Sequence, residues 1–110
     1  MKAKSLLDKK CVPCEGGVPP LIPAEVKKFL SETPEWEVIE ENDKISRMFK
    51  FKNFVEAMKF VNKVADLAEA ENHHPDFDVS YSKVTLTLWT HAIGGLSEND
   101  FILAAKIDQL

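Results

Sequence analysis

The sequence predicts an α+β domain, a four-stranded antiparallel sheet with helices packed on one face, in the order α-β-β-α-β-β-α. Three observations lead there. Residues 36–51 and 76–89 each hold two short alternating segments joined by a turn, which read as hairpins. A long stretch of helical period separates them, and shorter helical stretches begin and end the patterned part of the chain. Strands that arrive as hairpins pair antiparallel, and such a sheet is expected to carry its helices on one side.

The chain has 110 residues, enough for one modest core and too few for two. Fourteen basic against eighteen acidic residues leave a formal charge of −4, which argues against the basic face that nucleic-acid binding needs. No apolar run reaches the length of a membrane span, and no apolar core of a signal peptide follows the lysine-rich start. A cytoplasmic protein with neither nucleic acid nor membrane as partner is the expectation.

Residues 1–20 read as an irregular arm, punctuated by Pro13, Gly16, Gly17, Pro19 and Pro20. Within it, Cys11-Val-Pro-Cys14 is half of a zinc site and lacks a second pair at finger-like spacing. A thioredoxin-type role needs the motif at a helix start, whereas Glu15-Gly-Gly-Val-Pro-Pro20 follows it as loop. An inert or weakly reactive thiol pair, a metal site and a redox site all stay open. Residues 21–110 form the single domain.

Pro23 suits the first turn of a helix that supplies Val26, Phe29 and Leu30 at helical spacing and stops before Thr33-Pro34. Trp36 to Ile39 begins a strand, Glu41-Asn-Asp43 turns, and Ile45 to Phe51 returns. Asn53 is a candidate N-cap for a long helix through Glu71. Its apolar stripe reads as Phe54, Met58, Val61, Ala65 and Ala68, broadened by Val55 and Val64. Pro75 pushes His74 toward extended backbone, so the helix ends just before the histidine pair. Asp76 to Tyr81 is the third strand, Ser82-Lys83 a tight connection, and Val84, Leu86 and Leu88 are one face of the fourth. His91 shares parity with Thr87 and Trp89, so it is expected to point away from that face. Gly94-Gly95 permits a turn, and Ser97-Glu-Asn-Asp100 opens a last helix as a loose capping box, with Phe101, Ile102, Ala105 and Leu110 as its apolar positions.

All three histidines fall at positions 73, 74 and 91, and no other stretch gathers side chains that titrate near neutrality. Two of them sit on loop backbone held by a rigid helix end, a common place for function. A metal site is poorly provided: neighbouring residues on extended backbone point to opposite sides, and only an added carboxylate such as Glu69 or Asp100 would complete a ligand set. Acid–base catalysis without metal is the sharper reading. Imidazoles can present one donor and one acceptor at neutral pH, which is what a dehydration requires. Glu69 and Asp100 can orient the rings or select their tautomers. Trp36 and Phe77 can cover a flat heterocycle, although both read equally well as core.

Glu69-Ala-Glu-Asn-His73-His74-Pro75, Tyr81, Thr90-His91, Gly95-Leu96-Ser97-Glu98 and Asp100 closely resemble the pterin-4a-carbinolamine dehydratases, a family also known as the dimerisation cofactor of a homeodomain transcription factor. Trp36, Phe49-Lys-Phe51-Lys-Asn-Phe54 and the terminal helix follow in family order, so the resemblance covers roughly residues 21–110. It implies a hydro-lyase that converts 4a-hydroxytetrahydropterin to quinonoid dihydropterin, recycling the cofactor of aromatic amino acid hydroxylases. No metal and no cofactor are implied, since the pterin is the substrate. A homodimer or homotetramer is expected. By matching positions His73 and His91 are the main acid–base residues, while His74 binds and polarises the pterin. Glu69 and Asp100 support them, Pro75 and Thr90 shape the pocket, and Trp36 and Phe77 lie near it. Asn72, Ala92 and Ile93 complete the expected pterin contacts. Departures from the pattern are Asn72 where some members have aspartate, Ala92-Ile93 where animal members have Glu-Cys, and Phe77 where tryptophan is frequent. Two alternatives stand beside the enzyme: a non-catalytic dimerisation or interaction module, and a related enzyme acting on another pterin, such as one in molybdopterin metabolism.

Overall fold

Period-two alternation decides which side of each strand is buried, and here it builds one dry face and one open face. The computed structural model describes residues 20–39 and 43–110. The Cys11/Cys14 arm and the Glu41-Asn42 part of the expected turn lie outside the described residues. Helix α1 (Pro23–Leu30) leads into strands β1 (Glu37–Ile39) and β2 (Lys44–Lys50), and helix α2 (Phe54–Glu71) into β3 (Asp76–Ser80) and β4 (Lys83–Leu88). A 3-10 turn at His91–Ile93 and helix α3 (Glu98–Ile107) follow. This is the expected order, and the strands form one antiparallel sheet ordered β1-β2-β4-β3.

Register sorts the side chains. Ile45 lies opposite Leu88, Arg47 opposite Leu86 and Phe49 opposite Val84, so these share the face toward the helices. Val84, Leu86, Leu88 and Ile45 have no exposed surface. Each such side chain contributes about 1.5–3 kcal/mol of burial. Ser46, Met48, Thr85 and Thr87 alternate onto the open face, where the Thr87 hydroxyl donates to Ser46 Oγ at 3.3 Å. β3 is an edge strand whose five residues are all exposed, so Phe77 and Val79 overhang the part of the sheet that the helices cover.

Local chemistry sets the helix ends. Glu25 Oε1 accepts the Ile22 N–H at 3.2 Å and Pro23 occupies the first turn of α1, where a missing N–H costs nothing. Asn53 caps α2 as expected, its side-chain oxygen accepting the Glu56 N–H at 2.9 Å, a bond of about 1 kcal/mol.

The buried stripe of α2 differs from the expected one. Ala57, Phe60, Val64 and Ala68 face the core, while Phe54 and Val55 are half or more exposed and Ala65 is exposed. At 100° per residue the buried sector is turned by about 70° from the Phe54/Met58/Val61/Ala65/Ala68 stripe. Apolar residues occupy more than half of the helix circumference, so period alone does not choose the sector. Tertiary packing does: Phe60 meets Phe49 at 4.6 Å and Phe51 at 5.0 Å between ring centroids. Helix α3 is buried along nearly its whole length, and the Phe29–Phe101 stack at 5.6 Å fastens α1 to it. Leu110, an expected apolar position, is half exposed beyond its end.

Candidate active site

Four chain segments meet at the end of the sheet where β4 runs out: the exit of α2, the start of β3, the loop after β4 and the first turn of α3. Their geometry begins with Asn72. It ends α2 in the left-handed conformation (φ 52°, ψ 41°), which asparagine tolerates better than most residues. The next N–H, from His73, reaches back to Ala68 O at 3.1 Å, closing a Schellman-type cap. Asn72 therefore sets the backbone that delivers the histidine pair. Pro75 behind them is buried.

The second segment is a closed loop. Thr90 N–H donates to Gly95 O at 2.8 Å and Gly95 N–H returns to Thr90 O at 3.4 Å, with His91, Ala92 and Ile93 in the 3-10 turn between them. Gly94 supplies a positive φ of 65°. Gly95 is required for another reason: a Cβ there would lie 2.9 Å from Pro20 Cβ, because the chain entering the domain crosses this loop. Leu21 N–H donates to Leu96 O at 2.8 Å and holds that crossing.

Asp100 ties the segments together. It is fully buried in the first turn of α3, where the helix dipole favours a carboxylate. Its Oδ1 lies 2.6 Å from His73 Nε2, and its Oδ2 accepts from the Thr90 hydroxyl and the Ser97 N–H, both at 2.9 Å. Thr90 has one hydroxyl proton and gives it to Asp100, so the Ser97 hydroxyl, 2.7 Å away, donates to Thr90. A carboxylate only accepts, so His73 carries a proton on Nε2, and in the neutral ring Nδ1 is then the nitrogen with the lone pair. The pair is well shielded, with side-chain exposures of 12% for His73 and 0% for Asp100.

His74 is held differently. Its Nε2 lies 2.5 Å from Glu69 Oε2, one turn back on α2, and both side chains are more than half exposed. His91 is exposed on the open side of the sheet, as its parity predicted, and its ring stacks on Trp89 at 3.9 Å between centroids with a 28° tilt.

The sequence-expected residues thus divide. His73, Asp100 and Thr90 form one bonded unit, with His91 the next residue along the chain from Thr90. His74 and Glu69 form a second pair beside it. Ala92 is exposed and Ile93 half-buried in the turn after His91. Phe77 occupies the helix-side face of β3, opposite Leu86, on the other side of the strand from Asp76. Trp36 is not brought to the histidines. It is buried, its indole N–H donates to Asp108 Oδ1 at 2.9 Å, and Arg47 donates to the same oxygen at 2.6 Å. Asp108 follows the C-terminal end of α3 and Asp100 is at the other, about 12 Å away along the helix axis. Among the described residues no group of three or more His, Cys, Asp or Glu side chains converges as a metal site.

Sequence reasoning missed Trp89 and Ser97. The signal for Trp89 was present, since it shares strand parity with His91 two residues away. Ser97 showed as a helix cap and as part of the Gly95-Leu96-Ser97-Glu98 stretch, with no site role attached, and its second bond to Thr90 depends on a loop closure that spacing does not reveal.

Residues 19–110 match the family model described as pterin 4 alpha carbinolamine dehydratase. A Methylococcus capsulatus protein named for that dehydratase is 48% identical over 110 residues, spanning 100% of this chain and 96% of the relative. One from Rubrobacter xylanophilus, similarly named, is 49% identical over 96% of this chain and 97% of its own. Among solved structures, a transcriptional coactivator/pterin dehydratase from Brucella melitensis superposes with a TM-score of 0.77 at 33% identity, over 82% of this chain and 96% of that one. With the matched region covering the sheet, the three helices and every residue of the histidine site, the chain belongs to the pterin 4 alpha carbinolamine dehydratase family.

Proposed function

We propose that this protein dehydrates a 4a-hydroxytetrahydropterin to the quinonoid dihydropterin by histidine acid–base catalysis, and so recycles the pterin cofactor of aromatic amino acid hydroxylases. The observation that carries the mechanism is the His73–Asp100 bond. Elimination of water removes the hydroxyl from C4a and the proton from the adjacent N5. His73, with its Nε2 proton committed to Asp100, offers Nδ1 as the base that takes the N5 proton. Asp100 then lies against the doubly protonated ring, so the charge formed in the step meets a buried carboxylate. His91, solvent-facing, supplies the proton that leaves with the hydroxyl as water. His74, oriented by Glu69, binds and polarises the pterin. Names of relatives about 50% identical over nearly the whole chain support the substrate class.

The reading includes a homodimer or homotetramer, since the open edge of β3 is best covered by another copy. It also includes a cytoplasmic location and no cofactor beyond the pterin substrate. Chemically prepared 4a-hydroxytetrahydropterin, followed by stopped assay, tests it. Dehydration accelerated by the wild type and lost in His73→Ala supports the reading, and no acceleration by folded wild type overturns it. Sedimentation as a monomer at micromolar concentration would refute the oligomer.

A second reading is an interaction module. It is favoured by the Brucella melitensis structure, which is named a transcriptional coactivator as well as a pterin dehydratase. A pterin dehydratase-like RuBisCO assembly factor of the alpha-carboxysome, at 21% identity with a TM-score of 0.60 over 68% of this chain and 87% of that one, shares the fold. A scaffold alone has no need of the buried His73–Asp100 pair, so the enzyme is the preferred reading.

A further inference from the structure

His73 and His74 are each held by a carboxylate, and His91 has an aromatic contact of a different kind. Its ring is instead laid against Trp89, 3.9 Å away between centroids and 28° from parallel. Trp89 is itself immobilised from two further directions. Its indole N–H donates to Asp76 Oδ2 at 3.1 Å across the β3–β4 pair, and Lys44 Nζ on β2 sits 4.7 Å from its ring centroid. Three strands thus contribute to one platform under a histidine whose own backbone belongs to an exposed loop.

We infer that Trp89 is the positioning residue for His91, doing by aromatic stacking what Asp100 does for His73 by hydrogen bonding. The inference rests on the acid–base reading of His91. An exposed imidazole on a 3-10 turn has several staggered χ1 wells open to it. A flat indole against one face restricts the ring to orientations parallel to the platform and leaves both nitrogens at the edge, where a substrate hydroxyl can reach them. With His91 stacked on the indole and Lys44 Nζ 4.7 Å from its centroid, the ring faces of Trp89 are taken up by these two side chains, which assigns it positioning and not contact with the reacting atoms. Its effect must therefore appear in turnover and not in substrate binding. The platform is on the open face of the sheet, away from the Val84/Leu86/Leu88 core, so replacing Trp89 leaves the packing that supports the fold in place.

The test compares Trp89→Leu, Trp89→Phe and His91→Ala with wild type, using 4a-hydroxytetrahydropterin, alongside NMR of the His91 ring protons. In wild type those protons are expected upfield, shifted by the ring current of the stacked indole, and Trp89→Leu should abolish the shift. Trp89→Leu should lower kcat about 10-fold, within the range that misplacing a catalytic group costs, with KM changed by less than about 2-fold. Trp89→Phe should restore most of the kcat, since it returns an aromatic face without the indole N–H. Loss of KM alone, unchanged kcat in Trp89→Leu, or absence of the upfield shift in wild type would overturn the proposal. Full activity in His91→Ala would instead remove the acid–base reading on which it stands, and the two failures are distinct.

Discussion

His73 Nε2 and Asp100 Oδ1, 27 residues apart in the chain, lie 2.6 Å from each other across the join between the end of α2 and the start of α3. The carboxylate's other oxygen holds Thr90 and the Ser97 N–H, so one buried group sets the tautomer of a histidine and the entry of the loop that carries another.

Asp100→Asn should lower kcat by roughly 10²–10⁴-fold, comparable with losing the acid or base itself. An amide can turn its NH₂ toward His73, which then accepts at Nε2, moves its proton to Nδ1 and can no longer act there as a base. Steady-state kinetics with folding checked by circular dichroism would show this, and near-full activity would remove the tautomer argument.

The three histidines should separate by kinetic signature. His73→Ala and His91→Ala are expected to lower kcat by roughly 10²–10⁴-fold, and His74→Ala to act mainly by raising KM. Replacing Glu69 by Gln should leave thermal stability nearly unchanged, because an exposed ion pair is worth about 0–1 kcal/mol. A His74→Ala variant with normal KM and a collapsed kcat would exchange the proposed roles.

Gly94 and Gly95 should fail for different reasons. Gly95→Ala drives a Cβ to 2.9 Å from Pro20 Cβ and should cost about 1–3 kcal/mol by overpacking. Gly94→Ala meets no atom within 4 Å and should cost about 1–2 kcal/mol from its positive φ alone. Denaturant melts measure both, and adding Pro20→Gly, which removes the clashing Cβ, should recover stability only in the Gly95 variant.

Asn72 offers a test of how the histidine pair is delivered. Asn72→Gly should keep the left-handed cap and the activity, whereas Asn72→Val should lose roughly 1–2 kcal/mol of stability and part of kcat. If Asn72→Gly lost substrate affinity while remaining folded, the side chain would be a pterin contact and not only a cap.

Alternation and spacing made most of the architecture legible. Val84, Leu86 and Leu88 announce a dry face, and Asn53 and Pro75 mark where the long helix begins and must have ended. The period-two rule also placed His91 on the open side with Trp89. These are local rules, readable within a few residues. The three histidines stood out by composition, and their resemblance to a family named the chemistry.

Other features depended on tertiary structure because they compare alternatives that look equal along the chain. Which sector of α2 is buried was decided by Phe60 meeting Phe49 and Phe51, since apolar residues fill more than half of that helix. Trp36 reads equally as core or as a pocket wall, and its bond to Asp108 placed it in the core at the far end of α3. Asp100 reads in sequence as a helix cap and as one of two carboxylates, with Glu69, able to orient an imidazole, but spacing does not say which ring it meets. Only folding brings His73 and Thr90 to the same carboxylate, because hydrogen bonds across 27 and 10 residues leave no periodic trace.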